Sequence, residues 1–437
     1  MKISIAVLFG GKSTEHEISI ISALQAIENM DKEKYNIYPI YISKNNEFYY
    51  DKELLYDIKN YKNMSTLLQK LTKVCLVRED SSVYIKSLKT KLFSNNNIAK
   101  VDVAFPIVHG TNVEDGNLQG YLRTLGLAYA ESDCISSALG MDKYLMKQIL
   151  KSENIPVLEA IKIDMSDYKK PDDTINMLES KISYPMIVKP INLGSSIGIS
   201  KAKDREKLKD ALSLAFSFSE IVLVERAIVN LREINCAVLG DKYEQRASAL
   251  EEPFGKDEIL SFQDKYMSGG SKKTGKVGAN ANKAGTNQNY VGAVSDRPHG
   301  ESQSVGANQN YVGAKQCEPE QNGMKFANSS QGMASLQRQI PANVDKDTEV
   351  KIKNYAMRTF KALGCSGVAR IDLMIDKDSN DIYVNEINTI PGSLSYYLWA
   401  AEGISYKALL DRIIKIAIDN KRRDEMLNFT FDSNVLA

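Results

Sequence analysis

Two strand-like segments in the last fifth of the chain carry polar side chains where a buried strand would carry apolar ones. The first segment contains Arg370 and Asp372, and the second, which begins at Val384, contains Glu386 and Asn388. Residues i and i+2 of a strand point to the same face, so each segment directs two polar side chains to one face. Burying such groups is unfavourable unless a partner or ligand compensates for their desolvation. This pattern predicts a sheet with a polar, ligand-binding face.

Three of these side chains, Asp372, Glu386 and Asn388, offer hard oxygen ligands on strands that we expect to be adjacent. Mg²⁺ in such sites usually bridges protein carboxylates and substrate phosphates. The pattern therefore favours nucleotide-dependent chemistry. The alternative is that Glu386 and Asn388 merely end an edge strand.

The composition narrows the class of protein without identifying a function. The 437 residues are 43% hydrophobic and 25% charged, which suits two or three globular domains. A net charge of +1 gives no indication of a nucleic-acid or acidic-membrane partner. The five cysteines are scattered and form no C-x-x-C pair, which argues against a disulfide framework or zinc site and suits a reducing cytoplasm. No window is apolar for long enough to predict a membrane span.

The order of elements predicts an α/β fold in three parts. Residues 1–130 alternate strand-like and helix-like segments, as an open parallel sheet does, with a polar elaboration over residues 51–100. Residues 131–225 read as a small central α+β domain and residues 226–437 as a C-terminal α+β domain. The predicted strands are Ile3–Phe9, Tyr38–Ile42, Val101–Ile107, Pro185–Lys189, Gly198–Ala202, Ile221–Glu225, Glu233–Val238, Gly367–Ile375 and Ile382–Glu386. The predicted helices are Ser19–Asn29, Ala138–Ser152, Arg205–Phe216, Thr348–Leu363 and Tyr406–Lys421.

A low-complexity segment interrupts the third part over residues 268–339. It is rich in Gly, Asn, Gln, Ser and Ala, and the heptapeptide at 287–293 recurs at 308–314. Few of its residues could build a core, so we expect a disordered loop insertion. The copies are too few for a solenoid. A recognition arm is the alternative, but the segment lacks the clustered aromatic or arginine anchors that binding surfaces use.

Two glycine-rich loops are candidates for phosphate binding. Gly10–Thr14 follows the first strand, where open sheets bind ligands. Ala6 stands where a P-loop needs glycine, which argues against a P-loop NTPase. The second loop, Gly194–Gly198, follows Lys189, and its backbone N–H groups could converge on an anion. Taken alone, the second loop is more often a plain hairpin connection.

Two further polar residues stand at predicted strand ends. Glu225 could hydrogen-bond an adenine or ribose, although a solvated strand end is the simpler interpretation. His109 ends a strand and is followed by Glu114 and Asp115. A lone histidine is usually structural, but this position beside a glycine-containing acidic loop makes His109 a candidate site residue.

Taken in order, these segments resemble the D-alanine–D-alanine ligases of the ATP-grasp superfamily. The resemblance spans nearly the whole chain apart from the insertion, and the ordered set is far more specific than any single motif. The matching segments are Leu8–Ser19, His109-Gly110, Glu114–Gly116, Met141–Lys143, Lys189-Pro190, Gly194–Gly198, Glu225, Glu233, Lys265-Tyr266, Arg370–Asp372 and Glu386–Gly392.

The resemblance implies a three-domain ATP-grasp architecture and a role for each matched residue. ATP would be held by Lys143, Lys189, Ser196, Glu225, Ile228, Glu233 and Lys265. Two Mg²⁺ (or Mn²⁺) would be bound by Asp372, Glu386 and Asn388. The amino acids would be contacted by Glu15, His109, Ser195, Tyr266, Arg370 and Gly392, the last two stabilising the oxyanion of the tetrahedral intermediate.

The implied reaction joins two D-alanines through a D-alanyl phosphate, in the cytoplasm, for peptidoglycan precursor synthesis. The resemblance also suggests a homodimer, with no nucleic-acid or membrane partner. The alternatives are a ligase that uses D-lactate, against which Tyr266 argues, and a nucleotide-binding relative impaired by the insertion directly after Lys265-Tyr266.

One position departs from the family pattern. The family often has a serine five residues after the glycine that matches Gly392, where it would bind the second substrate's carboxylate, and this chain has Tyr397 there. Ser393 and Ser395 are the alternatives for that contact.

Overall fold

The protein was analysed as a computed structural model that describes residues 2–89, 96–194, 197–254 and 338–430. Three β-sheets with flanking helices make up this part of the chain. No helix within the described ranges is long and apolar enough to cross a membrane.

The first sheet has eight strands. They are β1 (Ile3–Gly10), β2 (Tyr35–Ile42), β3 (Phe48–Tyr50), β4 (Thr72–Glu79), β5 (Ser82–Ser87), β6 (Asn97–Val101), β7 (Val103–Pro106) and β8 (Ala128–Tyr129). The spatial order is β6-β5-β4-β3-β2-β1-β7-β8. Four strands that are adjacent in space, β2, β1, β7 and β8, are parallel, as predicted. The elaboration over residues 51–100 extends the sheet with antiparallel strands. The helices of this region are α1 (His16–Asn29), α2 (Met64–Lys70) and α3 (Asn117–Thr124).

The turn after β1 depends on two glycines. Gly10 and Gly11 have φ of +93° and +95°, which L side chains rarely adopt. A Cβ at Gly10 would lie 2.3 Å from the carbonyl oxygen of Ile42. The Gly10 N–H donates to the hydroxyl of Ser19, 2.7 Å away, so the turn leads the chain directly into α1.

The second sheet is small and antiparallel, with strands in the order β11-β10-β12-β9. They are β9 (Ala160–Asp164), β10 (Met186–Pro190), β11 (Ser200–Ala202) and β12 (Ile221–Arg226). Its region contains α4 (Cys134–Met141), α5 (Lys143–Ser152), α6 (Pro171–Lys181) and α7 (Arg205–Phe216).

The single helix predicted over Ala138–Ser152 is wrong, because the chain forms α4 and α5 with a break at Asp142. The backbone of Asp142 is extended, and its carboxylate accepts hydrogen bonds from the N–H groups of Tyr144 and Leu145, both at 2.9 Å. This side chain is the N-cap of α5 and satisfies donors that a helix start leaves unpaired. The break places Lys143 in the first turn of a new helix.

The third sheet contains the polar segments and has the order β15-β14-β13-β16-β17. Its strands are β13 (Leu231–Gly240), β14 (Gln245–Pro253), β15 (Arg338–Gln339), β16 (Gly367–Asp376) and β17 (Asp381–Asn388). Its helices are α8 (Lys346–Ala362), α9 (Tyr396–Ala400) and α10 (Tyr406–Glu425). The strand β15 pairs with β14, so the last two residues of the predicted insertion belong to this sheet. The rest of the insertion lies outside the described residues.

The apolar core forms three main clusters, and the cluster beside the first sheet also contains Leu239 and Val368 of the third. The largest fully buried side chains include Phe9, Phe105 and Trp399 beside the first sheet and Phe360 beside the third. A separate cluster that includes Val188 fills the second sheet and its helices. The architecture agrees with the predicted α/β class, while the domain boundaries at residues 130 and 225 stay predictions.

Candidate active site

The four polar residues of β16 and β17 converge as the sequence predicts. Arg370 is paired in register with Asn388, and Asp372 with Glu386. The guanidinium of Arg370 holds the Asp372 carboxylate with two hydrogen bonds of 2.6 and 2.7 Å, and the Asn388 amide donates to the same carboxylate at 3.2 Å. Glu386 and Asn388 do end an edge strand, but they end it inside a network of charges. The end of an edge strand therefore does not by itself account for Glu386 and Asn388.

Two lysines reach the same strand from other elements. The Nζ of Lys143, in the first turn of α5, lies 3.5 Å from a carboxylate oxygen of Glu386 and donates to the Leu193 carbonyl at 2.7 Å. The Nζ of Lys189, on β10, donates to the side-chain oxygen of Asn385 at 3.3 Å. Helix α5 and the second sheet thus bring two ammonium groups to β17, which carries two of the three predicted metal ligands.

Glu225 lies at the centre of a buried ion-pair cluster. It is 2% exposed, and its carboxylate oxygens lie 3.1 Å from the Nζ of Lys147 and 3.0 Å from that of Lys189. The interpretation of Glu225 as a solvated strand end is therefore wrong. Burial raises the pKa of Glu225, but the two ammonium groups outweigh this and hold it below its ordinary value.

Sequence reasoning missed Lys147. Its spacing of four residues from Lys143 places both on one face of a helix, and that spacing was the available signal. Lys147 is fully buried, and burial lowers its pKa to about 8, although Glu225 partly opposes the shift. The cluster therefore holds two cationic groups and one anion in a region closed to water.

A small apolar cluster adjoins this charged group. Leu158, Ile228 and Met374 are all at least nine-tenths buried and pack together. Glu233 lies on β13 in register with Met374. The predicted nucleotide residues Ile228 and Glu233 are thus brought to one place, next to an apolar surface.

His109 is held in a chain of hydrogen bonds that joins three elements. Its Nδ1 lies 2.8 Å from the Ile390 carbonyl, which can only accept, so Nδ1 carries the proton. Its Nε2 lies 3.0 Å from the Ser22 hydroxyl, which in turn accepts from the Ser393 N–H at 3.0 Å. Burial lowers the pKa of His109 to about 4, so the ring is neutral at physiological pH. Both ring nitrogens are used within the protein, so His109 fixes the backbone at Ile390, and its contact with the amino acids stays a prediction.

Glu114 contacts the backbone of Ile390 as His109 does. Sequence reasoning assigned no role to it. Its two oxygens accept from the N–H groups of Gly110, at 2.9 Å, and Ile390, at 3.0 Å. Burial, reinforced by the nearby Glu15 carboxylate, raises the pKa of Glu114 to about 8. Glu15 itself is 7% exposed, and a Cβ on either Gly110 or Gly194 would come within about 3 Å of its carboxylate.

The loop that follows β17 is conformationally strained. Ser393, Leu394 and Ser395 have φ of 49°, 53° and 49°, and each left-handed residue of this kind costs roughly 1–2 kcal/mol. Strain of this kind is often retained at functional sites. Two hydrogen bonds hold the loop. The Ser393 N–H donates to the Ser22 hydroxyl, and the Leu394 N–H donates to the Pro391 carbonyl at 2.8 Å. Gly392 is therefore presented in a fixed geometry.

The remaining polar cluster surrounds Tyr397. The Tyr397 hydroxyl donates to Glu251 at 3.2 Å, and the Arg338 guanidinium lies 4.3 Å from the Tyr397 ring centroid. Arg338 also forms a 3.0 Å ion pair with Glu251, which is fully buried. Sequence reasoning missed Glu251 and Arg338, because an acid within a strand and an arginine at the end of a low-complexity segment give no distinctive signal.

Some predicted residues fall outside the part of the chain that the structure describes, namely Ser195, Ser196, Lys265 and Tyr266. Among the described residues there is no group of three or more His, Cys, Asp or Glu side chains arranged to hold a metal ion. The candidate metal set contains two carboxylates, Asp372 and Glu386, and its third oxygen ligand is the amide of Asn388.

Comparison with known proteins gives a consistent result over the whole chain. Residues 4–132 match a family model described as D-ala D-ala ligase N-terminus, and residues 149–297 and 305–415 match one described as D-ala D-ala ligase C-terminus. The chain is 34% identical to a D-alanine--D-alanine ligase of Thermosipho melanesiensis, over 99% of this chain and 98% of the relative.

Solved structures agree with this result. The fold is similar to that of the D-alanine-D-alanine ligase from Coxiella burnetii, with a TM-score of 0.70, 25% identity and coverage of 97% of this chain and 96% of that one. It is also similar to the VanG D-Ala:D-Ser ligase from Enterococcus faecalis, with a TM-score of 0.68, 26% identity and coverage of 95% and 100%.

Proposed function

The chain belongs to the D-alanine–D-alanine ligase family, and from that premise we propose that it joins two D-alanines in an ATP-dependent reaction. A carboxylate is a poor acyl donor, and its phosphorylation gives a D-alanyl phosphate with a good leaving group. The amine of the second D-alanine then attacks the acyl carbon and releases phosphate. The observation that carries this proposal is the convergence of Lys143 and Lys189 on the strand that bears Glu386.

The charged cluster between the second and third sheets suits the phosphates of ATP. Lys143 and Lys189 contribute ammonium groups that would neutralise phosphoryl charge during transfer. Glu225 and Lys147 hold Lys189 in place through buried ion pairs. The apolar cluster that contains Ile228 would accept the adenine ring, and Glu233 would contact the ribose.

Asp372, Glu386 and Asn388 fit a divalent cation by the chemistry of their donors. All three present hard oxygen atoms, the ligands that Mg²⁺ and Mn²⁺ prefer. We propose that they hold two such ions, which would supply positive charge to offset the charge that develops during phosphoryl transfer. Arg370 keeps the Asp372 carboxylate oriented through two hydrogen bonds. Burial lowers the pKa of Arg370, but the Asp372 carboxylate outweighs this effect and holds that pKa well above its ordinary value.

The loop from Ile390 to Ser393 would serve the amino acids. The Gly392 N–H and the Arg370 guanidinium would donate to the oxyanion of the tetrahedral intermediate, and such preorganised donors are worth about 3–4 kcal/mol each in comparable sites. His109 and Glu114 fix the carbonyl and the N–H of Ile390, at the start of this loop. The proposed set of residues around ATP and substrate is completed by Glu15, Ser195, Ser196, Lys265 and Tyr266.

The proposal includes a cytoplasmic location, a role in peptidoglycan precursor synthesis and a homodimer. Four cysteines within the described residues are free thiols, which suits a reducing compartment.

The test measures ADP and D-alanyl-D-alanine together, with D-alanine as the varied substrate. The proposal predicts one dipeptide for each ADP formed. ADP formation without dipeptide, or no D-alanine-dependent turnover at all, would contradict it. The same assay on a protein that lacks residues 268–337 asks whether the insertion impairs the enzyme. That deletion retains Arg338 and Gln339, because they form β15.

A further inference from the structure

A row of polar side chains crosses the third sheet and connects the metal-binding end of the site to the Tyr397 cluster. Glu251, Asn235, Asp372 and Glu386 are successive register partners on β14, β13, β16 and β17. Direct register partners point to the same face of a sheet. Neighbouring strands lie about 4.8 Å apart, so the row extends over about 14 Å.

The reaction gives this row a direction. The first amino acid is phosphorylated at the β17 end, whereas the second keeps its carboxylate, which becomes the free end of the dipeptide. A carboxylate entering a largely buried site needs charge-assisted donors. Those donors should lie beyond Arg370, on the side away from the phosphates.

Of the two candidates suggested by the sequence, Ser393 is committed elsewhere and Ser395 is closed off from the row by burial. The Ser393 hydroxyl donates to the side-chain oxygen of Gln25 at 2.7 Å, and its N–H donates to Ser22. Ser395 is fully buried. Among the cations nearer the phosphates, Lys143 and Lys189 contact β17, and the proposed function already assigns Arg370 to the oxyanion.

Arg338 occupies the remaining end of the row. Its side chain is 12% exposed, and Glu251 and the Tyr397 ring hold the planar guanidinium in one orientation. Glu251 is itself fixed by the Asn235 amide at 3.1 Å and by the Tyr397 hydroxyl. A guanidinium has five N–H donors in a rigid fork that matches a carboxylate.

We infer that Arg338, oriented by Glu251 and Tyr397, binds the carboxylate of the second amino acid. This inference rests on the proposed ligase function. Arg338 would then be a substrate-binding residue, and Tyr397 and Glu251 would be positioning residues. The departure from serine at position 397 is thereby explained as one part of a different carboxylate-binding arrangement.

The test compares two ligands of the ADP- and Mg²⁺-loaded protein by calorimetry: D-alanyl-D-alanine and its C-terminal amide, which lacks the carboxylate. In the wild type, the acid should bind more tightly than the amide. Arg338→Gln should weaken binding of the acid at least tenfold and change binding of the amide less than twofold. In steady-state assays, the same change should raise the KM of the second D-alanine at least tenfold and leave that of the first within twofold.

Arg232→Gln is the matched control. Arg232 lies an odd number of residues from Asn235 on β13, and so on the opposite face, where it forms a two-point ion pair with Glu252 at 2.8 and 2.6 Å. The Arg232→Gln variant should bind the acid and the amide with the affinities of the wild type. Arg338→Lys, which retains a cation and most of the packing, should restore part of the affinity for the acid, and it replaces Arg338→Gln if that variant does not fold.

Two results would overturn the inference. Equal losses for acid and amide would show that Arg338 only fastens β15 to the sheet, and unchanged affinity for both would remove Arg338 from the site. Either result would leave the proposed function intact if the wild type makes dipeptide. A wild type that makes no dipeptide would remove both.

Discussion

The two halves of the candidate site are held together by different kinds of interaction. One half, here called the phosphate half, is the charged cluster proposed to bind ATP. In it the ammonium groups of three lysines face two carboxylates, those of Glu225 and Glu386; the lysines are Lys143, Lys147 and Lys189. The loop from Ile390 to Ser393 is instead fixed by hydrogen bonds to His109 and Ser22, which are neutral, and to Glu114, whose pKa burial raises to about 8.

This difference follows from what each half must do. In the proposed reaction, phosphate groups and metal ions would bring several charges into the site, and charged side chains could hold and neutralise them. The oxyanion develops only during the reaction, so its donors must be aligned beforehand, and a fixed loop achieves this without competing charges. We therefore expect substitutions in the two halves to produce different defects.

The largest effect should come from Glu386→Gln. The amide keeps the shape of the side chain but removes the charge of a proposed metal ligand, so we expect kcat to fall at least about a hundredfold. The need for Mg²⁺ in the assay should rise as well. Asp381→Asn, at the exposed start of the same strand, is the control and should retain the wild-type rate. A near-normal kcat for Glu386→Gln would exclude Glu386 from the metal site.

The second change, Glu225→Gln, tests the ion pairs. It leaves Lys147 and Lys189 buried without their anion, which typically lowers the free energy of unfolding by about 3–5 kcal/mol. Adding Lys147→Met should recover part of this loss, because one unpaired cation is then removed. Urea unfolding of both variants measures the effect. A loss below about 1 kcal/mol in the single variant would show that the cluster is not energetically coupled.

A smaller effect is expected from Ser22→Ala, which breaks the contacts from Ser22 to His109 and Ser393. Loss of neutral hydrogen bonds costs about 1 kcal/mol each. We expect kcat to fall several-fold, with the KM for ATP unchanged, because the phosphate half is not touched. Ser152→Ala, whose hydroxyl contacts only the last turn of its own helix, serves as the comparison. An increase in the KM for ATP in Ser22→Ala would contradict the separation of the two halves.

The last prediction concerns stability as a function of pH, and no contact in either half is deleted. The pKa of Glu114 is raised to about 8 in the folded protein, from an ordinary value of 4.5. Its contribution to stability is therefore complete below pH 4.5 and is lost as the pH rises to 8. Glu114→Gln cannot titrate, so its free energy of unfolding should fall less than that of the wild type between pH 5 and 8. Parallel pH profiles for the two proteins would show that Glu114 is ionised in the folded state.

The sequence predicted the phosphate half better than the loop. Charged residues within apolar strands, such as Asp372 and Glu386, are visible in one sequence because they break the expected pattern. The contact between His109 and Ile390 joins residues 281 positions apart and follows only from the packing of two sheets. Arg338 was hidden for a different reason, since its two-residue strand lies at the end of a segment whose composition indicates disorder.

The central claim, that ATP activates the first D-alanine as an acyl phosphate, is tested most directly with D-alanine labelled by ¹⁸O in its carboxylate. Attack of that carboxylate on the γ-phosphate makes a C–O–P bridge, and release of phosphate by the second amine breaks the C–O bond. The phosphate formed should therefore carry one ¹⁸O atom from D-alanine for each dipeptide made. Phosphate without ¹⁸O would show that water, and not D-alanine, receives the γ-phosphoryl group.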